Sequence, residues 1–179
     1  MYRIVYFALL LGLVWWNGAV AANDLDTIEY ELGSGDKVKV TVFGHNDLSG
    51  QFLVGGNGDI ALPLIGKMAA NGLTVSQLET RIVKALKPDY LKNPRVSVEV
   101  LNYRPFYIIG EVKKPGSYAY VSGMTVVNAI ALAGGYTYRA RENKIYVTRA
   151  TDPENVKLPA DHDTQILPGD VIEVPERFF

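Results

Sequence analysis

The chain has no cysteine, only two histidines among 179 residues, and no excess of charge of either sign. Without cysteine there is no thiol nucleophile, no CxxC redox pair and no thiolate zinc site. The lack does not argue against an oxidising compartment, because a chain of roughly 160 folded residues buries about 70% of its unfolded surface and needs no disulfide. His45 and His162 lie far apart, with no second histidine or carboxylate at helical ligand spacing. His162 falls between Asp161 and Asp163, which reads as a solvated acidic loop because a metal site needs convergent ligands. Lysine and arginine number 18 against 19 aspartates and glutamates. That balance leaves no electrostatic footprint for nucleic acid. Tryptophan is confined to Trp15 and Trp16, in the leading segment, whereas nine of the eleven tyrosines lie beyond it.

That leading segment holds the longest apolar run, Ile4 to Trp16, preceded by the basic Arg3 and followed by Ala19, Val20, Ala21 and Ala22. Small residues at Ala19 and Ala21 fit a signal-peptidase site, so residues 1–21 are expected to be a cleavable signal peptide. Asn17 and Gly18 break the run short of the ~20 residues that a bilayer span requires. No cysteine follows to carry an N-terminal lipid. The expected product is a protein that is soluble after export.

Beyond it the pattern is α+β, in two small domains expected at 22–101 and 102–179. Val38, Val40 and Val42 alternate with Lys37, Lys39 and Thr41, the signature of a half-buried strand. Gly55 to Asp59 is a turn into IALPLIG, where Pro63 implies a sheet edge or bulge. Thr74 and Gln77 form a capping box ahead of Val75, Leu78, Ile82, Ala85 and Leu86 at helical spacing, stopped by Pro88. Val96, Val98 and Val100 alternate again. A short joint, Asn102 to Pro105, lacks the Gly/Ser enrichment of a flexible linker. The run YIIGEVKKPGSY, Tyr107 to Tyr118, reads as strand, turn and strand, with Pro115 and Gly116 supplying the turn. A helix from about Thr125 to Ala133 ends on Gly134 and Gly135. Strands KIYVTR and VIEV follow. Gly72-Leu73-Thr74-Val75 is echoed by Gly123-Met124-Thr125-Val126.

Three Gly-Asp pairs, Gly35-Asp36, Gly58-Asp59 and Gly169-Asp170, invite comparison with the paired carboxylates of a glycosidase. Each immediately precedes a strand, and an aspartate bonding to its own backbone in a turn accounts for all three. Gly66 and Lys67 resemble the end of a phosphate loop. Met68, however, replaces the magnesium-binding hydroxyl and Ala61 the first glycine, so that reading fails. No cofactor site emerges. Tyr136, Tyr138, Arg139, Arg141, Lys144 and Tyr146 cluster in sequence. Aromatic faces stack on sugar rings and guanidinium groups bind carboxylates, so these residues suit contact with an acidic polysaccharide or with another subunit; the alternative is an exposed loop and strand of ordinary polar residues.

Together the segments LGSGDKVKVTVFG, GDIALPLIG, NGLTVSQLE and YLKNPRVSVEV resemble, in order and spacing, the polysaccharide-export domain of the bacterial outer-membrane polysaccharide export family. FYIIGEVKKPGSY, the ALAGGY stop and LPGDVIEVP resemble that family's soluble-ligand-binding β-grasp (SLBB) domain. The resemblance implies a non-enzymatic, homo-oligomeric ring in the periplasm, peripherally associated with the cell envelope, that conducts exopolysaccharide or capsule towards the outer membrane. It also implies partnership with an inner-membrane copolymerase. Larger members add further β-grasp modules and a membrane-crossing helix. A form ending at Phe179 is therefore expected not to span the outer membrane itself and to depend on a separate barrel protein. The contrasting expectation is a periplasmic glycan-binding or regulatory module that forms no conduit.

Overall fold

The computed structural model describes residues 30–87 and 89–177. The signal-peptide reading, the helix stop at Pro88 and the terminal Phe178 and Phe179 lie outside the described residues. Among these no helix is long and apolar enough to cross a membrane. Two separate apolar cores divide the chain into two α+β domains, one following the other.

The first domain runs β1 (Lys37–Val42), β2 (Gly50–Leu53), β3 (Asp59–Leu62), β4 (Gly66–Ala69), α1 (Val75–Leu86) and β5 (Val96–Asn102). β1 is the centre of an antiparallel sheet ordered β2-β1-β5, while β3 and β4 form a separate hairpin. Val38, Val40 and Val42 alternate inward and are buried. They meet Leu78, Ile82 and Leu86 of α1 in one core. These three recur every four residues, so they stack on one face of the helix. The helix begins on a reciprocal cap: the Gln77 amide donates to Thr74 Oγ1 at 3.3 Å, and the Thr74 amide donates to Gln77 Oε1 at 3.2 Å. The outer edge of β5 is closed by the same helix, because the Val98 amide donates to Glu79 Oε1 at 2.7 Å.

Pro63, expected at a sheet edge or bulge, lies instead in the turn between two strands. β3 stops at Leu62 and Pro63 opens the hairpin tip, since proline has no N–H to give a ladder. There the Ile65 amide donates to the Pro63 carbonyl at 2.8 Å, closing a three-residue γ-turn around Leu64 at φ 66°. A leucine in that conformation is strained.

The second domain runs β6 (Phe106–Gly110), β7 (Gly116–Tyr118), α2 (Val126–Leu132), β8 (Ile145–Thr148), β9 (Lys157–Ala160) and β10 (Val171–Val174). Its sheet has the order β7-β6-β10-β8-β9, with β6 and β10 parallel and the other pairs antiparallel. This is the β-grasp arrangement. Val126, Ala129 and Ile130 of α2 pack with Phe106, Ile108, Val147 and Ile172 from the sheet. Gly110, at φ 87°, lies so close to the Val174 carbonyl that any Cβ would collide with it. Gly134 and Gly135, at φ 81° and 86°, end α2, with the Gly135 amide donating to the Ile130 carbonyl at 2.9 Å.

The echo in sequence has a counterpart in space. In the first domain the Leu32 amide donates to the Leu73 carbonyl at 2.9 Å; in the second, the Ile166 amide donates to the Met124 carbonyl at 3.0 Å. Glu31 bridges Thr74, and Gln165 bridges Thr125. The Gly-x-Thr-Val helix starts are thus each seated on a segment that runs straight into a Gly-Asp turn, Glu31 to Asp36 or Gln165 to Asp170. The two halves use the parts in opposite chain order: turn before helix in the first domain, helix before turn in the second.

Candidate functional site at the domain joint and on the second domain

Each of these two turns is built by its aspartate. The amide of Asp36 donates to the Gly33 carbonyl at 3.1 Å, and the Gly33 amide donates back to Asp36 Oδ2 at 2.7 Å. The amide of Asp170 donates to the Leu167 carbonyl at 3.2 Å, and the Leu167 amide donates to Asp170 Oδ2 at 2.8 Å. Gly35 at φ 96° and Gly169 at φ 87° take the left-handed position that the turn demands. Gly58 shares that conformation at φ 80°, yet the Asp59 carboxylate makes no bond of this kind among the described residues.

Both buried carboxylates are then paired with an arginine. Asp36 accepts from the Arg104 amide at 2.8 Å and from Arg104 Nη1 at 3.1 Å; Asp170 accepts from the Ala150 amide at 3.3 Å and from Arg149 Nη1 at 2.6 Å. Burial pushes the Asp170 carboxyl above its usual range, against the opposing pull of the Leu167 amide and Arg149. With their oxygens occupied in this way, neither aspartate is left free as a general acid or base.

Arg104 stands at the joint and touches both domains. Its Nη1 also donates to Tyr30 Oη at 3.0 Å, while Tyr30 itself donates to Asp36. The guanidinium carbon sits 5.6 Å from the Tyr30 ring centre. Gly33 and Gly169 both lie against this side chain. Burial, and then the bond to Asp36, hold the Tyr30 phenol far above its usual range. Tyr30, Tyr103 and Tyr120 continue across the joint in edge-to-face contacts at 4.9 and 5.3 Å. The Gly169 amide donates to the Pro105 carbonyl, which fastens the second turn to the joint at 3.1 Å. A small cleft of about 170 Å³ opens beside Arg104, lined by Tyr30, Glu31, Ala150, Thr151 and Asp170 among others.

The tyrosine–arginine cluster singled out in the sequence is spread over two sides of the second domain. Tyr136 packs on the core and its hydroxyl meets His162 Nε2 at 2.9 Å. Tyr146 alternates with the buried Ile145 and Val147, so it stands on the opposite face of the sheet, with Lys144 Nζ 5.6 Å from its ring centre. Between them, Tyr138 is 83% exposed. Arg139 is held by Glu176, with Nε at 2.7 Å from Oε1. Arg141 has no ion-pair partner among the described residues, and it borders an open concavity of about 460 Å³ with Glu142, Asn143 and Arg177. Pro115 ends the connection from β6 to β7, and Gly116, expected in the turn, is the first residue of β7, paired with Ile108. No three or more histidine, aspartate or glutamate side chains converge to hold a metal among the described residues.

Sequence reasoning missed Arg104, Arg149 and Tyr30. Arg104 sits in the segment read only as a joint, 68 residues from the aspartate it pairs with. The one local signal was the Gly-Asp turn, which announces an acceptor without naming its donor.

Comparison with known proteins places these features. The family described as polysaccharide biosynthesis/export protein matches residues 26–101, and the SLBB domain matches residues 105–159. The chain is 37% identical over 140 residues to the exopolysaccharide production protein ExoF of Rhizobium meliloti (strain 1021), covering 72% of this chain and 32% of ExoF. It is 31% identical over 137 residues to the polysialic acid transport protein KpsD of Escherichia coli, covering 73% of this chain and 24% of KpsD. It therefore spans about a third and about a quarter of the lengths of these relatives. The chain belongs to the polysaccharide export family, with an export domain followed by one SLBB domain.

Proposed function

We propose that this protein is a periplasmic component of an exopolysaccharide or capsule export machine, and that copies of it assemble into a ring which passes the polymer towards the outer membrane. The observation that carries this reading is the tandem match of the two family domains, in order, on either side of the Arg104 joint. The names of ExoF and KpsD, exopolysaccharide production and polysialic acid transport, point the same way.

The joint fits the role. A subunit that forms two tiers of a ring must hold its domains at a fixed angle, because closed symmetry requires every copy to repeat one geometry. A buried charge pair, two shared glycine contacts and a tyrosine ladder supply that fixity. The export role is non-enzymatic: polymer moves by hydration and weak contacts. Tyr138, Arg139 and Arg141 are the proposed contact with polymer or with a neighbouring copy. An inner-membrane copolymerase is the proposed source of polymer, and a separate barrel protein the proposed route through the outer membrane. Electron microscopy of the purified protein tests assembly, with closed rings expected; particles that remain monomeric at high concentration, also with the copolymerase present, would refute it.

A further inference from the structure

The end of the first domain farthest from the joint has a character of its own. β1 starts beside Asp36 and carries the chain about 20 Å away, at ~3.3 Å per residue. At its far end Phe43 is 55% exposed, Leu64 57% and Tyr90 49%. They come from three separate loops. The Phe43 amide donates to the Arg95 carbonyl at 2.9 Å and the Tyr90 amide to the Leu86 carbonyl at 3.2 Å. Pro63 and Ile65, either side of Leu64, line a tiny gap with Val42 and Leu86. The three loops therefore rest on one patch of core while their apolar side chains point outward.

Leu64 is the informative member. Glycine or asparagine would relax the left-handed φ of this tip, whereas a leucine there is strained and half exposed, so nothing within the fold explains it. The end of α1 and the segments that meet at these tips also carry the exposed Lys84, Lys87, Lys92 and Arg95, against Asp47 and Asp89, and none of the four cations forms an ion pair among the described residues. The Arg95 guanidinium lies 6.0 Å from the Phe43 ring centre. Phenylalanine, tyrosine and leucine tips accompanied by lysine and arginine suit a layer whose outside is anionic and whose inside is hydrocarbon.

We propose that this end of the export domain is a membrane-contact surface, in which Phe43, Leu64 and Tyr90 enter the interface of an anionic lipid leaflet and these lysines and arginine meet its headgroups. Charge complementarity selects the lipid. The surface would set the height of the first domain against a membrane, independently of whether copies close into a ring.

The absence of cysteine makes the test clean, because an introduced one is labelled uniquely. Asn46→Cys carries an environment-sensitive nitrobenzoxadiazole dye at this end, and Glu154→Cys carries it on the second domain as a control, both in the chain as isolated from the cell. With phosphatidylethanolamine–phosphatidylglycerol vesicles the dye at position 46 is expected to shift to the blue and brighten, while the dye at 154 stays unchanged. Pure phosphatidylcholine vesicles should give neither. Lys87→Glu with Lys92→Glu should raise the vesicle concentration needed by roughly tenfold or more. Leu64→Gly should weaken binding while leaving the melting temperature unchanged or higher, since glycine is relaxed at this φ; this separates lost contact from lost fold. No shift with anionic vesicles, equal shifts at both labels, or a shift that appears only when membrane proteins are added would each overturn the proposal, the last in favour of a protein partner.

Discussion

The two aspartate turns share one design and use it for different ends. In both, an aspartate oxygen takes back the amide that opens the turn, an arginine Nη1 reaches the same oxygen, and a backbone amide satisfies the other. At Asp170 the arginine follows directly on β8 of the same sheet, so the pair ties a domain to itself. At Asp36 it comes from the joint, and Tyr30 adds a further bond. One lock fastens a sheet; its twin fastens two domains. The Asp36 lock should therefore report on the angle between domains and the Asp170 lock only on the stability of one.

Removing each carboxylate is the strongest way to break that comparison. Asp36→Ala leaves a largely buried guanidinium and two amides unpaired, and should cost about 3–5 kcal/mol in urea unfolding, the range for a broken buried pair. It should also loosen both halves in hydrogen exchange. Asp170→Ala should cost less, about 2–3 kcal/mol, because no tyrosine bond like that of Tyr30 to Asp36 is lost with it, and its effect should stay within the second domain.

The turn glycines sharpen the contrast next. Alanine is strained at either position, by about 1 kcal/mol. At Gly169 a Cβ would also sit 2.8 Å from Ala150 Cβ and from Arg104 Nε, whereas at Gly35 the nearest atom is 3.6 Å away. Gly169→Ala should accordingly lose about 2–3 kcal/mol, and Gly35→Ala only about 1. Equal losses in thermal melts would show that the joint does not press on the second turn.

A pH series isolates Tyr30. Its phenol is held neutral in the fold, so its contribution is complete below the ordinary value of 10.0 and is lost as pH rises above it, where the unfolded chain ionises and the folded one resists. Stability should fall above pH 10 more steeply in the native chain than in Tyr30→Phe. Identical alkaline slopes would remove Tyr30 from the lock. The smallest effect belongs to Leu64→Gly, at most about 1 kcal/mol and in the stabilising direction.

What the sequence revealed follows the range over which each interaction acts. The Thr74 cap, the Val38 to Val42 alternation, the glycine end of α2 and the β-grasp character of the second domain depend on neighbours a few residues away, and all were legible. The strand β9 was not, since Lys157-Leu158-Pro159-Ala160 has no alternation and becomes a strand only by pairing with β8. Pro63 misled because a proline after an apolar run fits a sheet edge and a hairpin tip equally well. Arg104 stayed hidden because its partner lies in another domain. The tyrosine–arginine cluster was contiguous in sequence, but strand alternation and the packing of Tyr136 on the core set its members on different faces.

The proposed export role is tested most directly by the fate of the polymer. In a strain lacking this protein, secreted polysaccharide should fall to a small fraction of normal and return when the gene is restored. Secretion that continues at the normal level without it would contradict the account.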